Sequence, residues 1–271
     1  MMRDKLDTLY IGDNVKVLKN EIDNETVDLT ITSPPYDDLR TYNGFEWDID
    51  GVIEQLWRVT KKGGVVVWVV GDKTHKGSET GTSFRTALKF MEYGWRLHDT
   101  MIYAKNNPVP LTHNRYEQQF EYMFVFSKGR PNTFNGLREP TKHAGLRWNR
   151  RMKSREYDKE SMRNRDEWTE VKSTKLMNNI WFYSVGKGQS ASDNIAHKHP
   201  AIFPEKLAED HILSWSNEGD VVLDLFGGSG TTAKMSALND RKFIHIDISG
   251  EYVKEVASKR LKQYGIHHKI K

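Results

Sequence analysis

Hydrophobic and polar positions along the chain change period several times, and each change separates a predicted strand from a predicted helix. Continuous apolar or β-branched runs predict strands, and the run at 64–72 is typical of a central strand buried on both faces. Apolar residues at helical spacing, followed by glycine, predict helices. Up to residue 130 the expected strands lie at 9–13, 27–32, 64–72, 96–105 and 117–129, and the expected helices within 47–64 and 84–95.

The carboxyl-terminal third repeats this alternation after an aperiodic middle. A short apolar run at 178–185 leads to a helix at 204–216, a strand, turn and helix at 220–239, a strand at 242–249 and a helix at 251–265. Strands that alternate with helices at both ends predict an α/β fold with a mainly parallel central sheet flanked by helices. The aperiodic middle is interpreted as an insertion on that sheet.

Charge is concentrated in the inserted segment. The 271 residues carry a formal net charge of +4. Between Lys128 and Lys175 there are 14 Lys and Arg against 7 Asp and Glu, a balance of +7, so the rest of the chain is at about −3. A basic segment of this kind is typical either of a surface that meets phosphate groups or of a solvated charged loop.

The composition argues against several classes of protein. No apolar run reaches the roughly 20 residues of a membrane span, so no membrane partner is expected. The first ten residues contain no apolar signal-peptide core, and the expected location is the cytoplasm. The chain has no cysteine, which excludes disulfides and thiolate metal sites.

A glycine-rich turn, Asp-Leu-Phe-Gly-Gly-Ser-Gly-Thr-Thr at 224–232, joins a predicted strand to a predicted helix. Glycines at a helix amino terminus let backbone N–H groups approach a ligand closely. No Gly-Lys-Ser/Thr follows, which argues against a phosphate loop. The next strand ends at Asp247, whose carboxylate is placed to bind ribose hydroxyls; its alternative role is to cap the following helix, which Ser249 could do instead. The pair predicts a nucleoside-bearing cofactor.

A second motif, Ser-Pro-Pro-Tyr at 33–36, follows the strand that ends at Thr32. Two consecutive prolines fix the path of the backbone and remove two N–H donors. The carbonyl groups of this corner stay free to accept hydrogen bonds from a ligand. The hydroxyl of Ser33 adds an acceptor and the ring of Tyr36 offers a stacking face. This arrangement suits a planar base with an exocyclic amine, although a simple Pro-Pro turn with a packed tyrosine is the alternative.

Together the two motifs resemble the β class of S-adenosylmethionine-dependent DNA amino-methyltransferases, which modify N6 of adenine or N4 of cytosine. In that class the catalytic motif precedes the cofactor motif and the target-recognition segment lies between them. The resemblance implies a Rossmann-like methyltransferase fold, with a catalytic half at 1–130, an inserted recognition segment at 131–178 and a cofactor-binding half at 179–271.

The resemblance also implies roles for the matching residues. The catalytic corner would be Ser33, Pro34, Pro35 and Tyr36, with the Ser33 hydroxyl and Pro34 carbonyl accepting hydrogen bonds from the target amine. The cofactor would contact Asp13, His199, Pro200, Asp224, Phe226, Gly227, Gly228, Ser229, Gly230, Thr231, Thr232 and Asp247. DNA contacts are expected from Arg138, Arg147, Arg150, Arg151 and Arg155. No metal is expected, because the sulfonium methyl group is already activated.

The motifs are compatible with two target bases, cytosine and adenine. Serine at position 33, where many adenine-N6 enzymes carry Asp or Asn, resembles the cytosine-N4 subset. Cytosine-N4 methylation of duplex DNA is therefore predicted, with adenine-N6 methylation as the alternative. An inactive member that only binds DNA, or an enzyme acting on RNA or protein, is disfavoured by the complete motifs and their order. A cognate restriction endonuclease and a homodimer are further partners that the resemblance suggests.

Overall fold

The structure is a computed structural model that describes residues 5–35, 48–108, 115–149 and 168–271. The chain divides into two compact units, one formed by Met1–Asn135 with Asn179–Lys271 and the other by Gly136–Asn178. In the described part of the chain, the strands are β1 (Thr8–Ile11), β2 (Val27–Thr32), β3 (Thr60–Val70), β4 (Thr74–His75), β5 (Ser78–Glu79), β6 (Arg96–Lys105), β7 (Phe120–Ser127), β8 (Arg138–Pro140), β9 (Arg147–Asn149), β10 (Trp168–Glu170), β11 (Thr174–Leu176), β12 (Ile180–Tyr183), β13 (Val221–Asp224), β14 (Lys242–Asp247) and β15 (Lys269–Ile270). The α-helices are α1 (Asn14–Glu21), α2 (Ile49–Val59), α3 (Thr82–Glu92), α4 (Glu205–Trp215), α5 (Thr231–Leu238) and α6 (Ser258–Gln263).

A nine-stranded mixed sheet organises the described part of the first unit. Its strand order is β12-β6-β7-β3-β2-β13-β14-β1-β15. The five strands β3, β2, β13, β14 and β1 are mutually parallel, and β7 is antiparallel to both β3 and β6. The predicted α/β class with a mainly parallel sheet is confirmed. Since neighbouring parallel strands end at the same edge, the loops after β1, β2, β13 and β14 meet there.

The core lies where the helices cover the sheet. The buried run of β3 packs Trp68 edge-on against Phe90 of α3, and Phe90 stacks on Phe126 of β7 with ring centroids 4.2 Å apart. Burial of such large rings supplies much of the apolar driving force for folding. This rigid layer supports the sheet edge at which the motifs lie.

One predicted element boundary is wrong. The pattern at 47–64 suggested a helix that stops at its glycine pair, but α2 ends at Val59 and β3 already begins at Thr60. Backbone hydrogen bonds join Gly63 and Gly64 to Lys128, at 2.7 and 3.0 Å. Gly63 has φ +80°, and a Cβ there would lie 2.3 Å from the side chain of Asn132. The glycine pair therefore belongs to an irregular strand start and does not terminate the helix.

The second unit, Gly136–Asn178, contains two antiparallel strand pairs among its described residues. One pair joins β8 to β11 and the other joins β9 to β10. Arg138 braces the first pair, because its guanidinium donates hydrogen bonds to the Thr174 hydroxyl and carbonyl, each at 2.9 Å. No helix in the described residues is long and apolar enough to cross a membrane.

Candidate active site

The two sequence motifs come together at the carboxyl edge of the sheet. β2 and β13 are adjacent, with Thr30 beside Leu223 in the parallel register. Ser33, Pro34 and Pro35 follow β2 directly, and the glycine-rich turn at 225–230 follows β13. The catalytic and cofactor motifs therefore leave the sheet from neighbouring strands, although they lie far apart in the sequence.

Asp224, the last residue of β13, connects the two motifs through hydrogen bonds. One carboxylate oxygen accepts from the Thr32 hydroxyl at 2.8 Å, and the other accepts from the Thr232 hydroxyl of α5 at 2.7 Å. The Phe226 amide also donates to this carboxylate, at 3.2 Å. Asp224 therefore fixes the end of β2 against the start of α5, and its own contact with cofactor stays a prediction.

The electrostatics of Asp224 are dominated by its burial. The residue is only 2% exposed. Burial raises the pKa of its carboxyl to about 6, although the hydrogen bonds from Thr232 and Thr32 oppose that rise. The folded protein thus favours the protonated form relative to an unfolded chain. This stabilising effect is complete below the ordinary pKa of 3.8 and is lost as the pH rises through about 6.

The glycine-rich turn is closely packed on both sides. Gly228 has φ +49°, and a Cβ there would lie 3.0 Å from the imidazole of His199. A Cβ on Gly227 would lie 2.1 Å from the Nδ1 atom of His245, which is fully buried in β14. The His199 ring in turn packs edge-on against Tyr252, with centroids 4.4 Å apart. Glycine is required here because the backbone itself contacts two imidazole rings.

Asp247 lies at the end of the next strand, as the sequence predicts. Its carboxylate accepts hydrogen bonds from the amides of Gly228 and Ser249, both at 2.8 Å. The Ser249 hydroxyl accepts from the Tyr252 amide at 3.3 Å and so caps the following helical segment. Ser249 therefore performs the capping role that was the alternative for Asp247. The ribose contact of Asp247 stays a prediction.

Asp13 has a structural role of its own. Its carboxylate accepts from the Lys16 amide at 2.9 Å and caps α1. The neighbouring Gly12 amide donates to the Asp247 carbonyl at 3.0 Å, and the Asn14 side chain donates to the Leu225 carbonyl at 3.3 Å. The loop after β1 is thus joined to both cofactor-motif strands, which brings Asp13 to the same edge.

Six of the predicted residues lie outside the described part of the first unit. Tyr36, Arg150, Arg151 and Arg155 lie outside the described residues. Arg138 and Arg147 belong to the second unit, where Arg147 is exposed in β9. The remaining predicted residues, including Pro200, Ser229, Gly230 and Thr231, lie within the first unit.

Sequence reasoning missed two features of the site. His245 lies beneath the glycine-rich turn, and strand alternation with Asp247 could have placed it on the same face. Burial lowers the pKa of His245 to about 4, so the ring is neutral at physiological pH. The second feature is a buried ion network behind the turn, formed by Asp193, Glu205, Lys234 and Arg260. Its members are spread over separate elements, and no motif in the sequence connects them.

Comparison with known proteins agrees with this arrangement. The family model described as DNA methylase, N6_N4_Mtase, matches residues 27–259. The orphan methyltransferase M.BamHII of Bacillus amyloliquefaciens is 56% identical over 93% of this chain and 95% of its own length. The type II methyltransferase M.BglII of Bacillus subtilis is 27% identical over 92% of this chain and 67% of its own length.

Solved structures share the fold. The PvuII DNA methyltransferase (cytosine-N4-specific) superposes with a TM-score of 0.66 at 20% identity, covering 97% of this chain and 93% of that one. TTHA0409 of Thermus thermophilus, complexed with S-adenosyl-L-methionine, gives a TM-score of 0.63 at 23% identity, with 97% of each chain covered. The chain therefore belongs to the N6/N4 DNA methylase family and is a DNA methyltransferase.

Proposed function

We propose that this enzyme transfers a methyl group to the exocyclic N4 of cytosine in duplex DNA, using the corner at Ser33. The observation that carries the proposal is the link through Asp224, which holds the end of β2, directly before Ser33, against the start of the cofactor-motif helix. The choice of cytosine rests on serine at position 33. Methylation of adenine N6 at the same corner is the alternative, because hydroxyl and carboxamide oxygens both accept hydrogen bonds from an amine.

The residues around the glycine-rich turn suit S-adenosyl-L-methionine. A carboxylate offers about four acceptor positions, and Asp247 uses two of them for the Gly228 and Ser249 amides. The half-buried Asp247 thus has acceptor capacity for the two ribose hydroxyls. The Gly228 backbone packs against His199 with no side chain between them, and we assign the methionine portion to the surface that these two groups form, which we call the cradle. When bound, the cofactor supplies a sulfonium-activated methyl group.

The catalytic role of the Ser33 corner is to increase the nucleophilicity of the target amine. The lone pair of an exocyclic amine is delocalised into the base. A serine hydroxyl and the Pro34 carbonyl that accept its N–H groups from two directions stabilise the positive charge that develops on nitrogen. The prolines hold these acceptors rigidly, so little reorganisation is needed during the reaction. A base in a duplex reaches such a corner only after flipping, which costs a few kcal/mol.

The identity of the methylated base tests this proposal directly. Purified enzyme is incubated with labelled S-adenosyl-L-methionine and unmethylated duplex DNA, and the product nucleosides are separated by mass spectrometry. We expect N4-methylcytosine. N6-methyladenine as the only product would exclude the cytosine assignment while leaving the site intact. Cofactor binding without any methylated base would indicate an inactive DNA-binding member or another substrate.

Recognition of the duplex is assigned to the second unit. The basic side chains among its described residues are Arg138, Lys142, Arg147, Lys172 and Lys175. Both arginines are exposed, but the Arg138 guanidinium already donates hydrogen bonds to Thr174. We therefore assign DNA contact to Arg147 before Arg138.

Replacing Arg147 by alanine is expected to weaken DNA binding by roughly 1–3 kcal/mol if its guanidinium contacts guanine. A phosphate contact would instead weaken binding to all sequences and lower the salt slope by about 1. Fluorescence anisotropy at several salt concentrations distinguishes these cases. Lys262→Ala, which removes an exposed cation of α6, is the control. Equal affinities for the two variants would remove Arg147 from the recognition surface.

Two further partners stay predictions. The relative from Bacillus amyloliquefaciens is named an orphan methyltransferase, whereas that from Bacillus subtilis is named a type II methyltransferase. We keep a cognate restriction endonuclease as a proposal that co-purification from the native host would test. A homodimer is the second, and sedimentation of the purified chain with and without DNA measures it.

A further inference from the structure

Four ionisable side chains form a buried network behind the glycine-rich turn. Lys234 and Arg260 contribute two positive charges, and Asp193 and Glu205 contribute two negative charges. The side chains of Arg260, Lys234 and Asp193 are 0, 1 and 2% exposed, and that of Glu205 is 14% exposed. We call this group the ion network. Its formal charge is zero, which is the condition under which charged groups tolerate burial.

Each carboxylate of the ion network accepts short hydrogen bonds from both of its cations. One oxygen of Asp193 accepts from Arg260 Nε at 2.8 Å and from Lys234 Nζ at 3.1 Å. One oxygen of Glu205 accepts from Lys234 Nζ at 2.6 Å and from Arg260 Nη2. Burial alone would raise the pKa of the Asp193 carboxyl, but hydrogen bonds from Arg260 and the Ala196 amide outweigh it and lower the pKa to about 2. Burial likewise opposes the charged forms of Glu205 and Lys234, but hydrogen bonds outweigh it, so the pKa of Glu205 is lowered and that of Lys234 is raised.

The ion network also contacts the two segments that form the proposed cofactor cradle. Arg260 Nη1 donates to the Ser229 carbonyl at 3.1 Å and to the Thr231 hydroxyl at 2.9 Å, so it holds the glycine-rich turn. The second oxygen of Asp193 accepts from the Ala196 amide at 3.0 Å. That amide begins the short helical turn that leads to His199. One set of charges thus fixes both walls of the cradle.

Stability alone does not account for this arrangement. A buried ion network is weak evidence for stability, since packed apolar residues of similar volume often stabilise a fold equally well or better. Apolar residues, however, could not hold the Ser229 carbonyl and the Ala196 amide in fixed directions. Charged groups suit this position because their hydrogen bonds fix the orientation of the turn and of the segment that carries His199.

We infer that Arg260 and Asp193 are positioning residues for S-adenosyl-L-methionine: they set the distance between the glycine-rich turn and His199 and so determine cofactor affinity. This inference rests on the proposed assignment of that turn and His199 to the cofactor site. It extends the site to two side chains that do not contact the cofactor themselves. A small displacement of a binding group is enough to reduce activity strongly, by up to about 100-fold in enzymes generally.

Arg260→Lys tests the inference because it keeps the charge and removes the planar guanidinium. Lysine can still neutralise the two carboxylates, but it cannot bridge Asp193, Glu205 and the Ser229 carbonyl together. We expect the Kd for S-adenosyl-L-methionine, measured by calorimetry, to rise about tenfold or more, in line with the cost of a misplaced group. The KM for the cofactor should rise more than kcat falls, and the Kd for DNA should stay unchanged.

A destabilised control separates positioning from general loss of stability. Val125→Ala removes a fully buried side chain of β7, which lies outside the cofactor half of the sheet. If Val125→Ala lowers the Tm as much as Arg260→Lys and weakens the cofactor equally, the inference is overturned. Asp193→Asn serves as a second variant should Arg260→Lys fail to fold. It removes one charge and is expected to weaken cofactor binding in the same direction.

His199→Ala shows which assumption fails when the expected result is not obtained. If His199→Ala weakens the cofactor and the two ion-network variants do not, the cofactor site stands and the positioning role is wrong. If none of the three variants changes the Kd, the assignment of the cradle itself is wrong and the inference falls with it. If all three variants weaken cofactor binding, the result supports both the cofactor site and the positioning role.

Discussion

Replacing Ser33 by alanine is expected to lower kcat about 100-fold, because loss of one preorganised hydrogen-bonding group at a reaction centre typically costs that factor or more. Ser33 follows Thr32, whose hydroxyl is fixed by Asp224, so its backbone position should survive the substitution. The variant should therefore bind S-adenosyl-L-methionine and DNA with the affinities of the parent enzyme. Single-turnover methyl transfer with saturating cofactor and DNA measures the chemical step without interference from product release.

Ser127→Ala is the matched control for this experiment. Ser127 ends β7 beside Val65, near the start of β3 and therefore at the opposite edge of the same sheet. Its hydroxyl donates to the Gly129 carbonyl at 2.8 Å, so the control also loses one local hydrogen bond. Its kcat should stay close to that of the parent. Unchanged kcat in Ser33→Ala would show that the serine hydroxyl is not part of the catalytic corner.

The elements that could be predicted from the sequence are those encoded by local patterns. The β-branched run of β3 and the strand that ends at Asp247 form where periodicity places them, because burial on a sheet demands that pattern. The candidate site was proposed from two local motifs and their resemblance to a family. Their convergence is explained by the structure, in which β2 and β13 are adjacent parallel strands that end at a common edge.

What could not be predicted depends on contacts between distant residues. The ion pair between Arg260 and Asp193 joins positions 67 residues apart, and neither residue stands in a recognisable motif. The strand β15 (Lys269–Ile270) forms because its backbone pairs with β1. Its own sequence is short and does not predict a strand. Such features arise only when the fold supplies partners, since an isolated segment of two residues has no preference strong enough to specify them.

Replacing Gly227 by alanine should damage both stability and cofactor binding. The φ angle of Gly227 is not in the left-handed region, so the backbone itself accepts alanine, but the new Cβ would lie 2.1 Å from His245 Nδ1. The His245 ring is fully buried, and both its nitrogens lack a hydrogen-bond partner among the described residues. We expect the free energy of unfolding to fall by about 1–3 kcal/mol, the usual cost of overpacking.

A second substitution shows whether the loss of stability comes from the contact with His245 or from any side chain added to the turn. His245→Ala removes the ring that the new Cβ would meet, so the double variant Gly227→Ala with His245→Ala should lose less stability than the two single variants added together. Urea unfolding at pH 7 measures this, where His245 is neutral because its pKa is lowered to about 4. Gly250→Ala is the control, since its Cβ would come no closer than 3.5 Å to Ile11. Strict additivity of the two substitutions would show that the contact between the turn and His245 is not what requires glycine at position 227.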